Sequence, residues 1–343
     1  DVIVTISQRS GTGIPDKTVT TGPEALSDDV AIACPPRSYS LDENNRTVLP
    51  YAVVDVTAEH EGYDPVHVAG VQVFDGEVSL LELLMIPVEE DETAAYTVRS
   101  LPEDFDIPTH KLFEGGESSG PTPLSACRPR ILDQPIIPEK ITVHLGRPSA
   151  NVQNVTVSFR DYIKNVASSE VYPTWPEQAL RANIHAQISL ALNRVYTEWY
   201  RSKGYNFQIT SSTSYDQYYV HGRNIFEVMS RITDDIFNTY VRRIGTIDPY
   251  YTEYCDGKTV SCPGMKQWGT VTLANQGRNA LSILQYYYGN NIEIVRTNNI
   301  QAIPESYPGT PLRLGSTGNA VRTIQRQLNR IALNYPAIPR IPE

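Results

Sequence analysis

Residues 1–88 carry short runs in which apolar and polar positions alternate. The runs "DVIVTISQ" and "YAVVDVTAEHEGY" have the period of two that half-buried β-strands show, and "GVQVFDGEVSLLELLMIPV" ends in a longer apolar stretch. Gly, Pro and Asp separate the runs at intervals that suit turns. The pattern predicts an antiparallel β-sandwich over residues 1–88.

The periodicity weakens over residues 89–139, where Pro, Gly and acidic residues are frequent. Such a composition is typical of a connecting segment rather than of a packed core. We predict a linker here, with one short strand at "AAYTVRSL".

Helical periodicity dominates residues 140–298, after two strand-like runs at "ITVHLG" and "QNVTVSF". Ser158 and Asp161 have the spacing of a capping box and predict the start of a first helix. Thr174 and Glu177 have the same spacing and predict the start of a second helix. The apolar positions of that second helix recur every three or four residues and indicate one core-facing stripe: Leu180, Ile184, Ile188, Ala191, Val195 and Trp199. We predict a mixed α+β domain.

Residues 309–343 begin with a Gly-rich turn and continue into one amphipathic helix. Its apolar face contains Val321, Ile324, Leu328 and Ile331. Because one helix cannot bury such a face alone, the segment predicts part of a helical domain. The whole pattern is that of an α+β multidomain protein.

Composition and charge limit the classes of binding partner that we expect for this chain. It has 343 residues, of which 40% are hydrophobic and 20% charged, and its formal net charge is −10. The negative charge argues against nucleic acid and anionic membranes as partners. No run approaches the about 20 apolar residues that a membrane helix needs. The first residues lack the basic and apolar regions of an export signal, so we expect that such a signal is absent or already removed. No cofactor is expected.

The even number of cysteines fits two disulfides in an oxidising compartment, or four free thiols. They are Cys34, Cys127, Cys255 and Cys262. The last pair lies in "CDGKTVSC", close enough for a small disulfide, and the first pair would join the first domain to the linker. A metal site is the alternative for the last pair and would need His185 or His221, but no C-x-x-C motif supports it. We therefore expect no metal.

Two carboxylates flank the segment "VYPTWP" and have different explanations. A helix cap accounts for Glu177. Glu170 follows the end of the first helix, where unpaired carbonyls disfavour a negative charge and Val171 adds apolar bulk, so its proton is held more tightly. A carboxylic acid that is protonated near neutral pH, and that lies open in a groove as wide as a sugar, could protonate a glycosidic oxygen. The alternative for Glu170 is an ordinary solvated carboxylate.

A series of motifs resembles the stage II sporulation protein D family over residues 140–298. The series starts with "YIKNVASSEVYPTWPEQALRANIHAQISLALNRVY" and continues in the same order through "YNFQITSSTSYDQYYVHG", "ITDDIFNTYV", "DPYYTEYCDGKT" and "GMKQWGTVTLANQGRNALSILQYYYG". The resemblance implies a lytic transglycosylase that cuts peptidoglycan glycan strands in spore-forming bacteria, with Glu170 as its acid/base. It also implies substrate contacts by Tyr172, Trp175, Lys266, Gln267 and Trp268. The alternatives are packing for the aromatic rings and a solvated loop for the Lys-Gln pair.

One departure from the family pattern weakens the prediction of activity. Members usually carry Gly-His-Gly-Val before Gly-Met-x-Gln, whereas this chain has Ser261-Cys262-Pro263 and a shorter turn.

Two further resemblances to known domains lie near the two ends of the chain. Residues 62–87 resemble the closing strands of a carboxypeptidase regulatory-like sandwich, and "LRLGSTGNAVRTIQRQLNRI" resembles the first half of a peptidoglycan-binding domain. Together they imply an extracellular bacterial protein of the cell wall or spore envelope, with peptidoglycan glycan strands as its partner. The alternatives are an inert surface or filament protein that assembles as a homo-oligomer or polymer, and a plain wall-binding module.

Overall fold

The protein is described by a computed structural model. The described residues are 1–9, 15–45, 47–88, 104–110, 135–304, 311–334, 337 and 339–342. They form a mixed α+β structure in which most helices lie in the second half of the chain. The predicted α+β class is therefore confirmed. The predicted strand at "AAYTVRSL" lies outside the described residues.

The N-terminal region forms one mixed sheet. Its elements are β1 (Ile3–Gln8), β2 (Lys17–Thr20), the one-turn helix α1 (Ser38–Leu41), β3 (Ala52–Glu59), β4 (Val66–Val73), β5 (Ser79–Leu80) and β6 (Asp104–Asp106). Five strands pair in the order β2-β1-β3-β4-β6, and all neighbours are antiparallel except β4 and β6. A small core under this sheet contains Val54, Val56, Val68, Val71 and Ile107.

The second layer of the predicted sandwich is not seen among the described residues. Burial alternates along β3, as the period of two predicts for a strand with one buried face. However, β5 does not join the N-terminal sheet, because Ser79 and Leu80 pair with Phe226 and Ile225 far along the chain. That long-range partner cannot be read from local alternation.

The larger region is built around one central helix. Its first elements are β7 (Ile137–Pro138), β8 (Lys140–His144), β9 (Asn154–Ser158), α2 (Phe159–Glu170), α3 (Glu177–Tyr196), β10 (Ile209–Thr210), β11 (Ile225–Phe226) and α4 (Glu227–Ile236). The remaining elements are β12 (Thr239–Arg243), β13 (Tyr254–Cys255), β14 (Met265–Lys266), α5 (Gln267–Asn275), α6 (Ala280–Tyr288), β15 (Ile292–Arg296), β16 (Ile300–Gln301) and α7 (Asn319–Asn334). A sheet of order β10-β8-β9 and the pairs β12-β15, β13-β14, β11-β5 and β16-β7 surround the helices.

Helix α3 is buried on nearly all sides, which its sequence explains only in part. The predicted stripe faces a core from Leu180 to Val195, but α3 ends at Tyr196, so the prediction that the helix extends to Trp199 was wrong. The opposite side carries small and amide residues, including Ala182, Ala186 and Asn193, and α2, α4, α5 and α6 all pack against α3. A helix covered on every side is a core element, so the prediction of a single stripe was too narrow.

One of the two predicted helix caps is present. Ser158 Oγ accepts the backbone N–H of Asp161 at 3.1 Å, which confirms the start of α2. The second prediction was wrong: α3 begins after Pro176 without a side-chain cap. Thr174 Oγ1 instead donates to Ser40 Oγ at 2.7 Å, and the Glu177 carboxylate pairs with arginines on α3 and α4. Thr174 therefore forms a tertiary hydrogen bond instead of the local capping bond that its spacing from Glu177 predicted.

Residues 37–79 and residues 172–226 meet in a contact that we call the seam. Three hydrogen bonds join Arg37 and Ser40 to Thr174 and Trp175. Asn224 Nδ2 donates across the seam to the Gln72 carbonyl at 3.0 Å. Because Tyr51 and Phe74 also belong to the large core, the N-terminal sheet and the helical region are packed together.

The predicted C-terminal helix is present as α7. Leu328 on its apolar face is 44% exposed. The assignment of this segment to part of a peptidoglycan-binding domain stays a prediction.

Candidate functional site

The carboxyl of Glu170, the last residue of α2, is enclosed by three hydrogen-bond donors. The backbone N–H of Tyr218 donates to Oε1 at 2.9 Å. Gln187 Nε2 and the Tyr254 hydroxyl donate to Oε2 at 2.8 Å and 2.7 Å. The residue is 0% exposed. The sequence-based hypothesis required an open carboxyl, so that requirement is not met in this structure, and the alternative of a solvated carboxylate is wrong.

The enclosed carboxyl binds its proton more tightly than an exposed one. Burial raises the pKa of Glu170 from 4.5 to about 7, although the hydrogen bonds from Tyr218, Tyr254 and Gln187 oppose the shift. Desolvation disfavours the charged form, whereas donors to the carboxylate favour it. The sequence argument named the carbonyls of the helix end and the apolar neighbours of Glu170, and the dominant cause in the structure is burial. At neutral pH the side chain can both give and accept a proton.

A second group of side chains fixes those donors. Gln217 Nε2 donates to the Tyr254 hydroxyl at 3.0 Å and to the Gln187 carbonyl at 3.1 Å. Tyr162 donates to Gln217 Oε1 at 2.9 Å. Because each partner is itself held, the position of the Glu170 carboxyl is determined by helices α2 and α3 and by β13.

Sequence reasoning missed Gln187, Gln217 and Tyr254. A usable signal was present for Gln187, which is an amide within the apolar stripe of α3, three residues after Ile184 and four before Ala191. A polar residue in such a place needs a buried partner. No comparable local signal marks Tyr254, whose role depends on a residue 84 positions away in the chain.

Unused hydrogen-bonding capacity extends from Glu170 along α3 and α5. Gln187 Oε1 and Asn183 Oδ1 are buried and have no hydrogen-bond partner. Asn183 Nδ2 donates to Thr270 Oγ1 at 2.9 Å, and that hydroxyl donates to the carbonyl of Gln267. Both amide atoms of Gln267 are likewise unpartnered, and the residue is 0% exposed. The solvated-loop alternative for Gln267 is therefore wrong.

The aromatic residues that the resemblance assigned to substrate form one packed cluster. The ring of Trp175 lies 4.7 Å from that of Trp268, and Tyr172 lies 5.9 Å from each, measured between ring centroids. Trp175 is 2% exposed, and its indole N–H donates to the Ser40 carbonyl across the seam at 3.2 Å. These contacts are those of the packing alternative, and they place the cluster against the seam.

Lys266 holds the turn that precedes α5. Its ammonium donates to the carbonyls of Cys262 and Gly264. The structure also places a disulfide between Cys255 and Cys262, with 6.1 Å between their Cα atoms. The ammonium and the disulfide therefore stabilise the same turn, which follows Tyr254 directly.

The disulfide removes the proposed metal ligands, since its sulfurs are bonded to each other. His185 contacts Thr239, and His221 contacts Tyr219. Within the described ranges, no group of three or more His, Cys, Asp and Glu side chains could hold a metal ion. Cys34 forms no disulfide with another described cysteine, and Cys127 lies outside the described residues. A bond between those two stays a prediction.

Comparison of the chain with family models, with curated proteins and with solved structures returned no match. Among the helices of the described residues, none has the length and apolar character needed to cross a membrane. The resemblance in the sequence motifs therefore remains the source of any functional assignment, and the geometry around Glu170 supplies the chemistry to test it.

Proposed function

We propose that the protein is an exported bacterial cell-wall or spore-envelope protein whose region 140–298 engages peptidoglycan glycan strands, and that Glu170 cleaves them when a bound strand displaces the protein donors that enclose its carboxyl. The observation that carries this proposal is the position of the Glu170 carboxyl, which three hydrogen bonds hold in desolvated surroundings, where burial raises its pKa to about 7. A carboxyl with that pKa is protonated in a large fraction of molecules at neutral pH, as a general acid must be.

The chemistry requires one carboxyl. The Glu170 proton passes to the glycosidic oxygen as the bond from that oxygen to the anomeric carbon breaks. The sugar's own C6 hydroxyl then bonds to the anomeric carbon and returns its proton to the carboxylate, which leaves a 1,6-anhydro end. Because no water or enzyme nucleophile has to be activated, the second carboxylate of ordinary glycosidases is not needed.

The unpartnered amides beside the carboxyl support the same proposal. Gln187, Asn183 and Gln267 offer buried donors and acceptors along α3 and α5. Each buried polar group without a partner is destabilising by about 1–3 kcal/mol, so a polar occupant would offset that cost. Hydroxyl and acetamido groups of a glycan have the matching chemistry.

A second candidate is an inert structural protein of the cell surface that reuses this architecture for assembly. The full enclosure of Glu170 favours it, since the carboxyl contacts three protein donors and is 0% exposed. The replacement of the family's histidine motif by Ser261-Cys262-Pro263 favours it as well.

Digestion of glycan strands separates the two candidates. Purified protein is incubated with denuded peptidoglycan glycan at pH 7, and 1,6-anhydro ends are counted by mass spectrometry. We expect release by the wild type and by Glu177→Gln, a control at an exposed, ion-paired carboxylate. Glu170→Gln should lower release by about 100-fold or more, because the general acid is lost. Absence of release by the wild type, or equal release by Glu170→Gln, would support the inert protein.

The Glu170→Gln variant suits this test because its packing can be kept. The Tyr254 hydroxyl can accept a hydrogen bond instead of donating one, and rotation of the Gln187 amide would present its unpartnered Oε1 to the new NH₂ group. A matching far-ultraviolet spectrum and unfolding midpoint would show that the variant is folded.

A further inference from the structure

We propose that the seam contains a binding site for a small carboxylate, held by Arg223. The residue follows the turn before β11 and is 4% exposed. Arginine is almost never buried to this extent unless an acid accompanies it, because moving a charge out of water is strongly unfavourable. The contacts of this guanidinium therefore decide whether its charge is compensated.

The hydrogen bonds of Arg223 go to neutral oxygens, and its guanidinium carbon lies 5.6 Å from the centroid of the Phe226 ring. Its Nε donates to the Asn224 carbonyl at 3.0 Å, and its Nη2 donates to Gln72 Oε1 across the seam at 3.1 Å. Nη1 is buried and has no hydrogen-bond partner. Among the described residues, no carboxylate forms an ion pair with this side chain. Within the described ranges, this positive charge therefore has no negative charge paired with it.

Arg194 shows what a satisfied buried arginine looks like in the same chain. It is 3% exposed, and its Nε donates to Asp216 Oδ1 at 2.7 Å. Burial lowers the pKa of Arg194, but the charge and hydrogen bond of Asp216, together with Tyr251 and Tyr200, outweigh that effect, and the net shift is upward. Burial lowers the pKa of Arg223 to about 10, because no such partner is present. The site of Arg194 contains a carboxylate, that of Asp216, whereas the site of Arg223 contains none among the described residues.

The groups around Arg223 can receive that anion. Both ring nitrogens of His110 are buried, and the backbone carbonyl of Glu170 lies close enough to accept a hydrogen bond from the ring. Burial and then the charge of Arg223 lower the pKa of His110 well below its usual value, so the ring is neutral and can donate one N–H. The phenols of Tyr51 and Tyr218 lie near enough to influence the pKa of the guanidinium. These side chains together present one cation and several neutral donors.

Charge and shape favour a carboxylate over other anions. One negative charge balances one guanidinium, whereas the second charge of a phosphate would stay uncompensated among the rings of Phe74, Tyr172 and Phe226. The planar pair of carboxylate oxygens also matches the fork of an arginine. Because Gln72 and Arg223 belong to opposite sides of the seam, a bound carboxylate would stabilise the contact between the two regions.

The test compares thermal unfolding of the full chain at pH 7 in sodium acetate and in sodium chloride of equal ionic strength. A ligand that binds only the folded state raises the midpoint with the logarithm of its concentration. We expect a rise of about 2 °C for each tenfold increase of acetate above its dissociation constant. Formate should act like acetate, and inorganic phosphate at the same ionic strength should act less.

Two variants test whether the response of the unfolding midpoint to acetate depends on Arg223. Arg223→Met should remove the acetate response. Arg37→Met is the matched control, since Arg37 also lies in the seam but already has the Glu77 carboxylate at 3.0 Å. Its midpoint should fall, while its response to acetate stays. A wild type with equal midpoints in acetate and chloride would overturn the proposal, as would a full response in Arg223→Met.

If Arg223→Met does not fold, a direct measurement replaces it. The line width of ¹³C-labelled acetate should increase in the presence of wild-type protein and return toward the free value with Arg223→Lys, which keeps a charge but loses the fork. Unchanged line widths with the wild type would also overturn the proposal.

Discussion

Glu170 should make the stability of this protein depend on pH in a direction that is unusual for a carboxyl group. Its pKa rises from 4.5 to about 7 on folding, because the folded chain buries it. Between those two values the native state holds a proton that the unfolded state has released. Stability therefore decreases as the pH rises through this window, whereas a carboxylate in a salt bridge gives the opposite slope.

The size of the effect follows from the shift. A pKa difference of one corresponds to about 1.4 kcal/mol, so protonation of Glu170 contributes about 3 kcal/mol below pH 4.5. Most of that contribution is present at pH 5 and almost none remains at pH 8. The variant Glu170→Gln has no such titration. Its free energy of unfolding relative to the wild type should increase by about 2–3 kcal/mol between pH 5 and pH 8.

Urea unfolding of both proteins at the two pH values measures this difference, and every other titrating group cancels in the comparison. Glu177→Gln is the control, since the guanidinium of Arg181 lowers the pKa of Glu177. That variant should show no change of this sign. An equal difference between wild type and Glu170→Gln at pH 5 and pH 8 would refute the assignment of a raised pKa.

Three further predictions address the surroundings of the site. Cys262→Ser removes the disulfide around a short loop and should lower the free energy of unfolding by about 2 kcal/mol, as measured by a urea titration. The reduced wild-type protein should lose the same amount of stability. Asp216→Asn leaves Arg194 buried without its anion and should destabilise the fold by about 3–5 kcal/mol in the same assay, whereas a loss below 1 kcal/mol would contradict the pairing. Tyr254→Phe removes a donor to the Glu170 carboxylate and should raise that pKa further, as a ¹³C titration of the carboxyl would show; an unchanged or lower value would contradict the hydrogen bond.

Features that depend on neighbours in the sequence could be predicted, and features that depend on distant partners could not. Ser158 caps α2 because the acceptor and the donor lie three residues apart. Thr174 has the same spacing from an acidic residue, yet its hydroxyl contacts Ser40, 134 positions away. The pairing of β5 with β11 is a further case, since alternation within one strand says nothing about which strand it meets.

The candidate site was predicted in part for the same reason. Helix end, apolar neighbours and family resemblance all indicated Glu170. Its enclosure arises from Gln187, Tyr218 and Tyr254, which come from three separate parts of the chain. The pKa shift of Glu170 arises mainly from desolvation in the folded chain. The carbonyls of the helix end, which the sequence argument named first, are not the main cause.

The most direct test of the account is the release of 1,6-anhydro ends from denuded glycan strands across a pH series. If Glu170 is the proton donor, wild-type protein releases these ends, the rate decreases as the pH rises above about 7, and Glu170→Gln releases almost none. Intact glycan after incubation with the wild type at every pH would contradict the account.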